Sequence, residues 1–234
     1  MENKSITLIS GTRKGIGKAL AQHYLKQGHR VIGCSRRAAD WSHPNYCHYE
    51  GDIADESFVK TLLFELRKKH HRLDYLINNA GIASMNHCLL TPTRLVERMM
   101  QTNFLGTFLL CREAAKLMAK HQFGRIVNFT TVAVPLHLEG EAVYAATKAA
   151  VMSLSQVLAK ELGGYGITVN AVGPTPVKTD LIRAVPEEKI DKLLNQQAIK
   201  RFGKLSDISN VIDFFLKKES AFITGQTIFL GGVV

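Results

Sequence analysis

Tyr144 and Lys148 stand four positions apart in Tyr144-Ala145-Ala146-Thr147-Lys148. On a helix that spacing sends both side chains from one face, so an ammonium can lie close to a phenol. A phenol titrates near a pKa of about 10. A neighbouring cation favours phenolate and draws that value toward neutrality, which makes the tyrosine usable as a general acid or base. A hydroxyl-bearing residue, Thr131, lies 144 − 131 = 13 positions upstream, just past the apolar run Ile126-Val127-Asn128-Phe129. A half-buried tyrosine beside a surface lysine has the same spacing. The pair therefore gains its meaning from the rest of the chain.

A second chemistry-bearing segment is Gly11-Thr12-Arg13-Lys14-Gly15-Ile16-Gly17. It falls between a strand-like run and a helical period, where glycines permit a tight turn, close backbone approach to a pyrophosphate and close helix–strand packing. The spacing is G-x-x-x-G-x-G rather than the G-x-G-x-x-G dinucleotide fingerprint. The end of the second strand-like run discriminates between cofactors. An NAD-preferring site places Asp or Glu there for the ribose 2′-hydroxyl. This chain has Ser35-Arg36-Arg37, with Arg13 and Lys14 nearby in the glycine loop. A guanidinium grips a 2′-phosphate through charge-assisted bonds that a carboxylate would oppose. The cofactor expected is NADP(H), with Arg36 the better candidate because it lies nearer the strand end.

Short apolar runs alternate with helical periods along the whole chain, which is the pattern of a doubly wound parallel sheet. Strands are expected at Ile6–Ile9, Arg30–Cys34, Tyr46–Tyr49, Leu73–Asn78, Arg125–Phe129, Thr168–Val172 and Thr227–Leu230. Helices are expected at Ile16–Gln27, Glu56–Lys69, Thr91–Lys120 (long and bent), Tyr144–Leu162, Glu187–Ile199 and Ser206–Lys217. No linker or repeat interrupts them. The expectation is a single α/β, Rossmann-like domain over residues 1–234, seven parallel strands with helices on both faces.

At 234 residues the chain can bury a sizeable core, and its 46% apolar content is ordinary for a globular protein. Cys34, Cys47, Cys88 and Cys111 show neither C-x-x-C pairing nor zinc-ligand spacing, which points to a reducing, cytoplasmic setting. The nine histidines are scattered, and no metal site is expected. Met1-Glu2-Asn3-Lys4 runs straight into a strand, so no signal peptide is expected, and no apolar stretch reaches the roughly 18 residues of a membrane span. The net charge of +10 is dispersed, much of it at helix C-termini where the dipole favours cations. Nucleic acid is therefore not the expected partner; an acidic substrate or acidic carrier protein suits the charge better.

Taken together, these residues resemble the short-chain dehydrogenase/reductase family over essentially the whole chain. The match extends to Asp52-Ile53, where the family places an adenine contact, and to Asn78-Asn79-Ala80-Gly81, which supports the sheet and lines the cofactor pocket. Asn103 corresponds to a helix asparagine that holds a water leading to the active-site lysine. Val169 to Pro174 corresponds to the segment beside the nicotinamide, with Val177 and Thr179 approaching its carboxamide. Ile223-Thr224-Gly225-Gln226-Thr227 resembles the C-terminal signature.

The resemblance implies that Tyr144 protonates a developing alkoxide, that Thr131 holds the carbonyl oxygen, and that Lys148 lowers the Tyr144 pKa and binds the nicotinamide ribose. Asn103 would connect a water-borne proton path. It also implies that Tyr144 and Lys148 count among the cofactor contacts, and that the chain forms a dimer or tetramer through the Tyr144–Leu162 helix and the long helix before it. Three features depart from the family pattern. Thr131 stands where Ser is usual, and its methyl group narrows the site. Pro174-Thr175 replaces Pro-Gly, which would strain Thr175 if that position needs φ > 0. The C-terminal Leu230-Gly231-Gly232 lacks a preceding Asp.

Within the family the chain looks most like the β-ketoacyl carrier-protein reductases, and its positive charge suits an acidic carrier. Two positions that are often basic in that group are here Tyr165 and Gln122. The expected reaction is reduction of a ketone by NADPH, with a 3-ketoacyl thioester or a small-molecule ketone as substrate. The competing classes are a catalytically silent NADP-binding regulator and an oxidising dehydrogenase or epimerase. Retention of Tyr144, Lys148, Asn103 and a hydroxyl at 131 argues against the silent regulator.

Overall fold

The structure, a computed structural model, describes residues 4–178 and 185–233. Seven strands form one parallel sheet: β1 (Ile6–Ser10), β2 (Arg30–Ser35), β3 (Tyr46–Glu50), β4 (Tyr75–Asn78), β5 (Gly124–Phe129), β6 (Ile167–Gly173) and β7 (Thr227–Phe229). Their order is β3-β2-β1-β4-β5-β6-β7. The sheet thus reverses direction of growth between β1 and β4, the crevice in which open α/β sheets bind ligands. Every residue of β1, β5 and β6 is buried, as expected of strands covered on both faces.

Neighbouring residues along each strand feed opposite faces. Leu8, Leu76 and Ile126 enter one core, built with α2 (Glu56–His70), α4 (Gly106–Met118) and α6 (Ala142–Leu162). Ile9, Ile77 and Val127 enter the other, built with α1 (Gly15–Lys26) and α8 (Leu205–Leu216). The remaining helices are α3 (Thr93–Met99), the four-residue α5 (Ala133–Leu136) and α7 (Glu187–Gln196). Asp55 caps α2, its carboxylate accepting from the Ser57 amide at 2.9 Å.

The expected long helix is α3 and α4 joined through a π-helical turn, Met100–Leu105, which accounts for its bend. Two expectations are corrected. First, α5 forms where no helix was read, in a stretch too short for its periodicity to show. Second, the helical stretch Ala142–Tyr165 is long and apolar enough to cross a bilayer by length and composition alone, with mean hydropathy 1.2. In this fold it lies on the sheet: its own Val151, Ser155, Leu158 and Ala159 are buried, as is its Lys148.

The second core is tied together by a polar contact. Tyr24 of α1, 1% exposed, donates to Asp213 of α8 at 2.8 Å, and the His23 ring meets the same carboxylate at 2.9 Å. Tyr24→Phe should therefore cost roughly 1 kcal/mol, the net worth of one hydrogen bond, since the half-buried Asp213 carboxylate keeps its contact with His23. Urea denaturation would show it; an unchanged midpoint would refute the role given to this contact.

Candidate active site

The glycine loop leaves β1 at the crevice. The Gly11 amide donates to the Cys34 carbonyl at 2.8 Å, which pins the loop to the end of β2. Gly15 has φ +61° and nothing within 4 Å of where a Cβ would stand, so the loop faces open space there. Gly17 is tight instead; a Cβ would run into the Gly11 carbonyl. Behind the loop, α1 begins at Lys14 with no side-chain cap and no acidic residue in its first turn. Its leading amides, including that of Ile16, are the kind of group that receives a phosphate. Backbone room, uncapped amides and a first turn without acidic residues together fit a dinucleotide pyrophosphate.

The end of β4 is knitted to the end of β1. Asn79 donates to the Ser10 carbonyl at 2.9 Å, and the Ala80 amide donates to the Ser10 hydroxyl at 3.0 Å. Gly81 follows; a Cβ on it would stand 3.2 Å from Asn103 Oδ1 and 3.4 Å from Lys148 Nζ. These three residues therefore crowd one spot.

Asn103 lies on the π turn, fully buried. Its Oδ1 accepts from the Ile82 amide at 2.8 Å, while Nδ2 donates to the Ile82 carbonyl at 2.9 Å and to Thr147 at 3.0 Å. Thr147 in turn donates to the Tyr144 carbonyl at 2.8 Å. Asn103 thus fastens the loop after β4 to the first turns of α6.

Thr131, Tyr144 and Lys148 converge on a cleft that Pro174, Val177 and Leu193 also line. Thr131 is 8% exposed, its Oγ1 accepts from the Ala133 amide at 3.2 Å, and its hydroxyl lies close enough to the Tyr144 phenol to act on its pKa. Lys148 is 4% exposed, and its Nζ donates to the Phe129 carbonyl at 2.8 Å. Burial lowers its pKa to about 8. Tyr144 moves the other way. Burial raises its phenol to about 12, the Glu141 charge adds to the rise, and the Thr131 hydrogen bond opposes it.

The sequence reading had Lys148 drawing the phenol toward neutrality. In the structure burial and the Glu141 charge raise the phenol, and the lysine is turned to a backbone carbonyl. In this form Tyr144 is a firmly protonated donor.

Glu141 was missed. It lies three residues before Tyr144, at the start of α6, and lines the same cleft. The i, i+3 spacing was its signal. Burial raises its carboxyl pKa, and Lys189 of α7 opposes the rise. Glu141→Gln removes a charge that disfavours phenolate, so the Tyr144 pKa should fall. Reduction needs the protonated phenol and is lost as pH rises through its pKa. The titration of the phenol itself, read as the phenolate absorbance lost in Tyr144→Phe, should therefore move down by roughly half a pH unit or more. A titration that stays in place or moves up would exclude the effect of Glu141.

The other expected cofactor residues are distributed as follows. Arg36 and Arg37 are exposed beyond β2, with Arg13 half-buried across from them and Lys14 exposed in the loop. Thr12 is fully buried. Asp52 turns back on its own loop, accepting from the Ala54 amide at 3.0 Å. Ile53 is 5% exposed inside the first core, so its side chain belongs to packing. The Pro174 carbonyl accepts from the Val132 amide at 3.3 Å, and Val177 pairs with Gly203 in an isolated parallel bridge. Among the described residues only His71, Gln122 and His137 are non-glycines with positive φ, so Thr175 carries no strain of that kind. Thr179 lies outside the described residues.

Comparison with known proteins places this geometry. A family model described as enoyl-(acyl carrier protein) reductase matches residues 11–232. The 3-oxoacyl-[acyl-carrier-protein] reductase FabG of Escherichia coli K12 is 30% identical over 233 residues, 97% of this chain and 96% of the relative. Among solved structures, gluconate 5-dehydrogenase from Burkholderia cenocepacia J2315, in complex with NADP and tartrate, has a TM-score of 0.92 and 27% identity, covering 97% of this chain and 94% of that one. ElxO with NADP bound has a TM-score of 0.90 and 30% identity, covering 98% of both chains. The glycine loop at the β1/β4 crevice and the Thr131–Tyr144–Lys148 cleft sit within that shared frame: the chain is an oxidoreductase of the short-chain dehydrogenase/reductase family.

Proposed function

We propose that this enzyme uses NADPH and a proton to reduce a ketone to a secondary alcohol, releasing NADP⁺. The substrate we infer is a 3-ketoacyl thioester, carried on acyl carrier protein or CoA, in fatty-acid or polyketide-type metabolism. The convergence of Thr131, Tyr144 and Lys148 on one cleft beside the glycine loop carries this reading. Gly11 to Gly17 would hold the pyrophosphate, Arg36 with Arg13 and Lys14 the 2′-phosphate, and Asn79, Ala80, Gly81, Pro174 and Val177 the nicotinamide half. When bound, the reduced nicotinamide supplies the hydride equivalent.

The chain's own residues do the rest. Thr131 and Tyr144 hydrogen-bond the carbonyl oxygen, which fixes its orientation and stabilises negative charge as it develops. Tyr144 gives up its proton to that oxygen. Lys148, charged below a pKa of about 8, stands behind to favour the phenolate left by the transfer. Asn103 holds the loop and helix that set these distances.

Support for the thioester comes from the similarity to FabG and from the net charge of +10, which favours encounter with an acidic carrier. A small polar ketone is the alternative, and the Glu141 carboxyl in the cleft is the observation that favours it. The exposed small residues Ala142, Ala146, Ala149 and Ser153 follow one face of α6, and we infer that a second copy packs there to make a homodimer or homotetramer. The four cysteines are free, in keeping with a cytoplasmic enzyme.

Loss of NADPH absorbance with 3-ketoacyl thioesters on carrier protein and on CoA, set beside simple ketones and hydroxyketones, tests the reading. Turnover of the thioesters with kcat/KM above that of the free ketones is expected. NADPH binding without turnover of any ketone would overturn it in favour of a silent regulator.

A further inference from the structure

Beside the Arg36 loop is a cluster that the proposed reaction does not use. The rings of Trp41 and Tyr46 stack with centroids 3.9 Å apart. The Trp41 indole N–H donates to the Thr12 carbonyl at 3.1 Å. Thr12 Oγ1 lies 2.8 Å from the Tyr46 hydroxyl, and that hydroxyl lies 2.7 Å from His48 Nδ1. His48 Nε2 is 3.2 Å from the Arg37 carbonyl and 3.0 Å from the Ser35 hydroxyl, which itself donates to the Arg37 carbonyl at 2.8 Å.

These contacts close in one direction. The Thr12 hydroxyl donates to Tyr46, Tyr46 donates to Nδ1 of a neutral His48, and Nε2–H donates to the Arg37 carbonyl. Burial lowers the His48 pKa and so favours the neutral ring. Gly33, in the middle of β2, leaves the space the chain of bonds needs; a Cβ there would collide with Thr12 Oγ1 and the Tyr46 hydroxyl. At one end is the glycine loop with Arg13 and Lys14. At the other is the backbone that flanks Arg36.

A bidentate grip on a phosphate depends on the distance between the groups that share it. We propose that Trp41, Tyr46 and His48 are positioning residues that set the spacing between the glycine loop and the Ser35–Arg37 turn, and thereby govern the preference for a 2′-phosphorylated dinucleotide. The inference rests on the NADPH reading above. NADH lacks the 2′-phosphate, so its binding does not draw on this spacing.

Titrations of NADPH and of NADH into wild type, Tyr46→Phe, His48→Phe and His48→Gln test it. Tyr46→Phe keeps the ring stacked on Trp41 and cuts the chain of bonds, so it serves even where His48→Phe weakens the fold. In both phenylalanine variants the Kd for NADPH should rise about tenfold, the equivalent of one well-formed hydrogen bond, while that for NADH changes less than about twofold. His48→Gln, which can still donate to the Arg37 carbonyl, should recover part of the loss. Equal weakening of both nucleotides, or an unchanged ratio in a wild type that prefers NADPH, would overturn the inference alone. A wild type without that preference would overturn the cofactor reading and this inference with it.

Discussion

Tyr144→Phe should lower kcat by about 10²- to 10⁴-fold while the Kd for NADPH stays within about twofold. The substitution deletes one oxygen and leaves the ring that fills the cleft. It removes the proton that the reduced carbonyl oxygen needs and one of the two hydroxyls facing that oxygen. Thr131, whose hydroxyl lies beside the phenol, cannot take over as the donor. An aliphatic hydroxyl is a much weaker acid than a phenol, so the alkoxide it would leave is far harder to form than the phenolate of Tyr144. Single-turnover kinetics would separate the chemical step from binding. Activity close to that of wild type would sink the assignment of Tyr144, and equal loss in kcat and NADPH affinity would make it a packing residue.

How much of this was legible before the structure follows from the length over which each signal acts. The strands were readable within one or two residues because buried parallel strands are continuous apolar runs bounded by turns. Sheet order was not readable from periodicity, and the crevice between β1 and β4 came only with the strand order. The catalytic trio was legible as types and spacing; its electrostatics were not. Whether Lys148 lowers the Tyr144 pKa depends on burial and on where Nζ points, and the Phe129 carbonyl that receives it lies 148 − 129 = 19 residues away.

Glu141 and the Tyr46–His48 pair were missed for different reasons. Glu141 had a helical i, i+3 spacing to Tyr144 that was there to be read. Tyr46 and His48 alternate on β3 and so share a sheet face, but their partner Thr12 is 34 residues from Tyr46. Only the pairing of β2 with β3 brings them together. Asn103 was recognised as a residue but not as a clamp, since a π turn leaves no clear mark on hydrophobic periodicity.

Lys148→Met should abolish most turnover and yet make the protein more stable at pH 7. Burial lowers the lysine pKa from 10.5 to about 8, so at neutral pH the folded chain carries a charge that the unfolded chain solvates more easily. A group whose cationic form is disfavoured by folding destabilises the native state fully below its folded pKa. That penalty fades as pH rises from about 8 toward 10.5, where the unfolded lysine also loses its proton. The penalty removed is about 3 kcal/mol, and the Phe129 carbonyl, left without its donor, takes back roughly 1–2 kcal/mol of it. A net gain of about 1–2 kcal/mol at pH 7, shrinking or reversing by pH 9.5, is the expected result. Urea denaturation of wild type and variant at the two pH values measures it directly. A variant less stable than wild type at pH 7, or a difference independent of pH, would show that Lys148 is not held charged at a cost. The chemistry gives the reason for keeping so unfavourable a residue: a buried cation lining the same cleft as Tyr144 matters most once the phenol has given up its proton. Stability is then the quantity traded for that step.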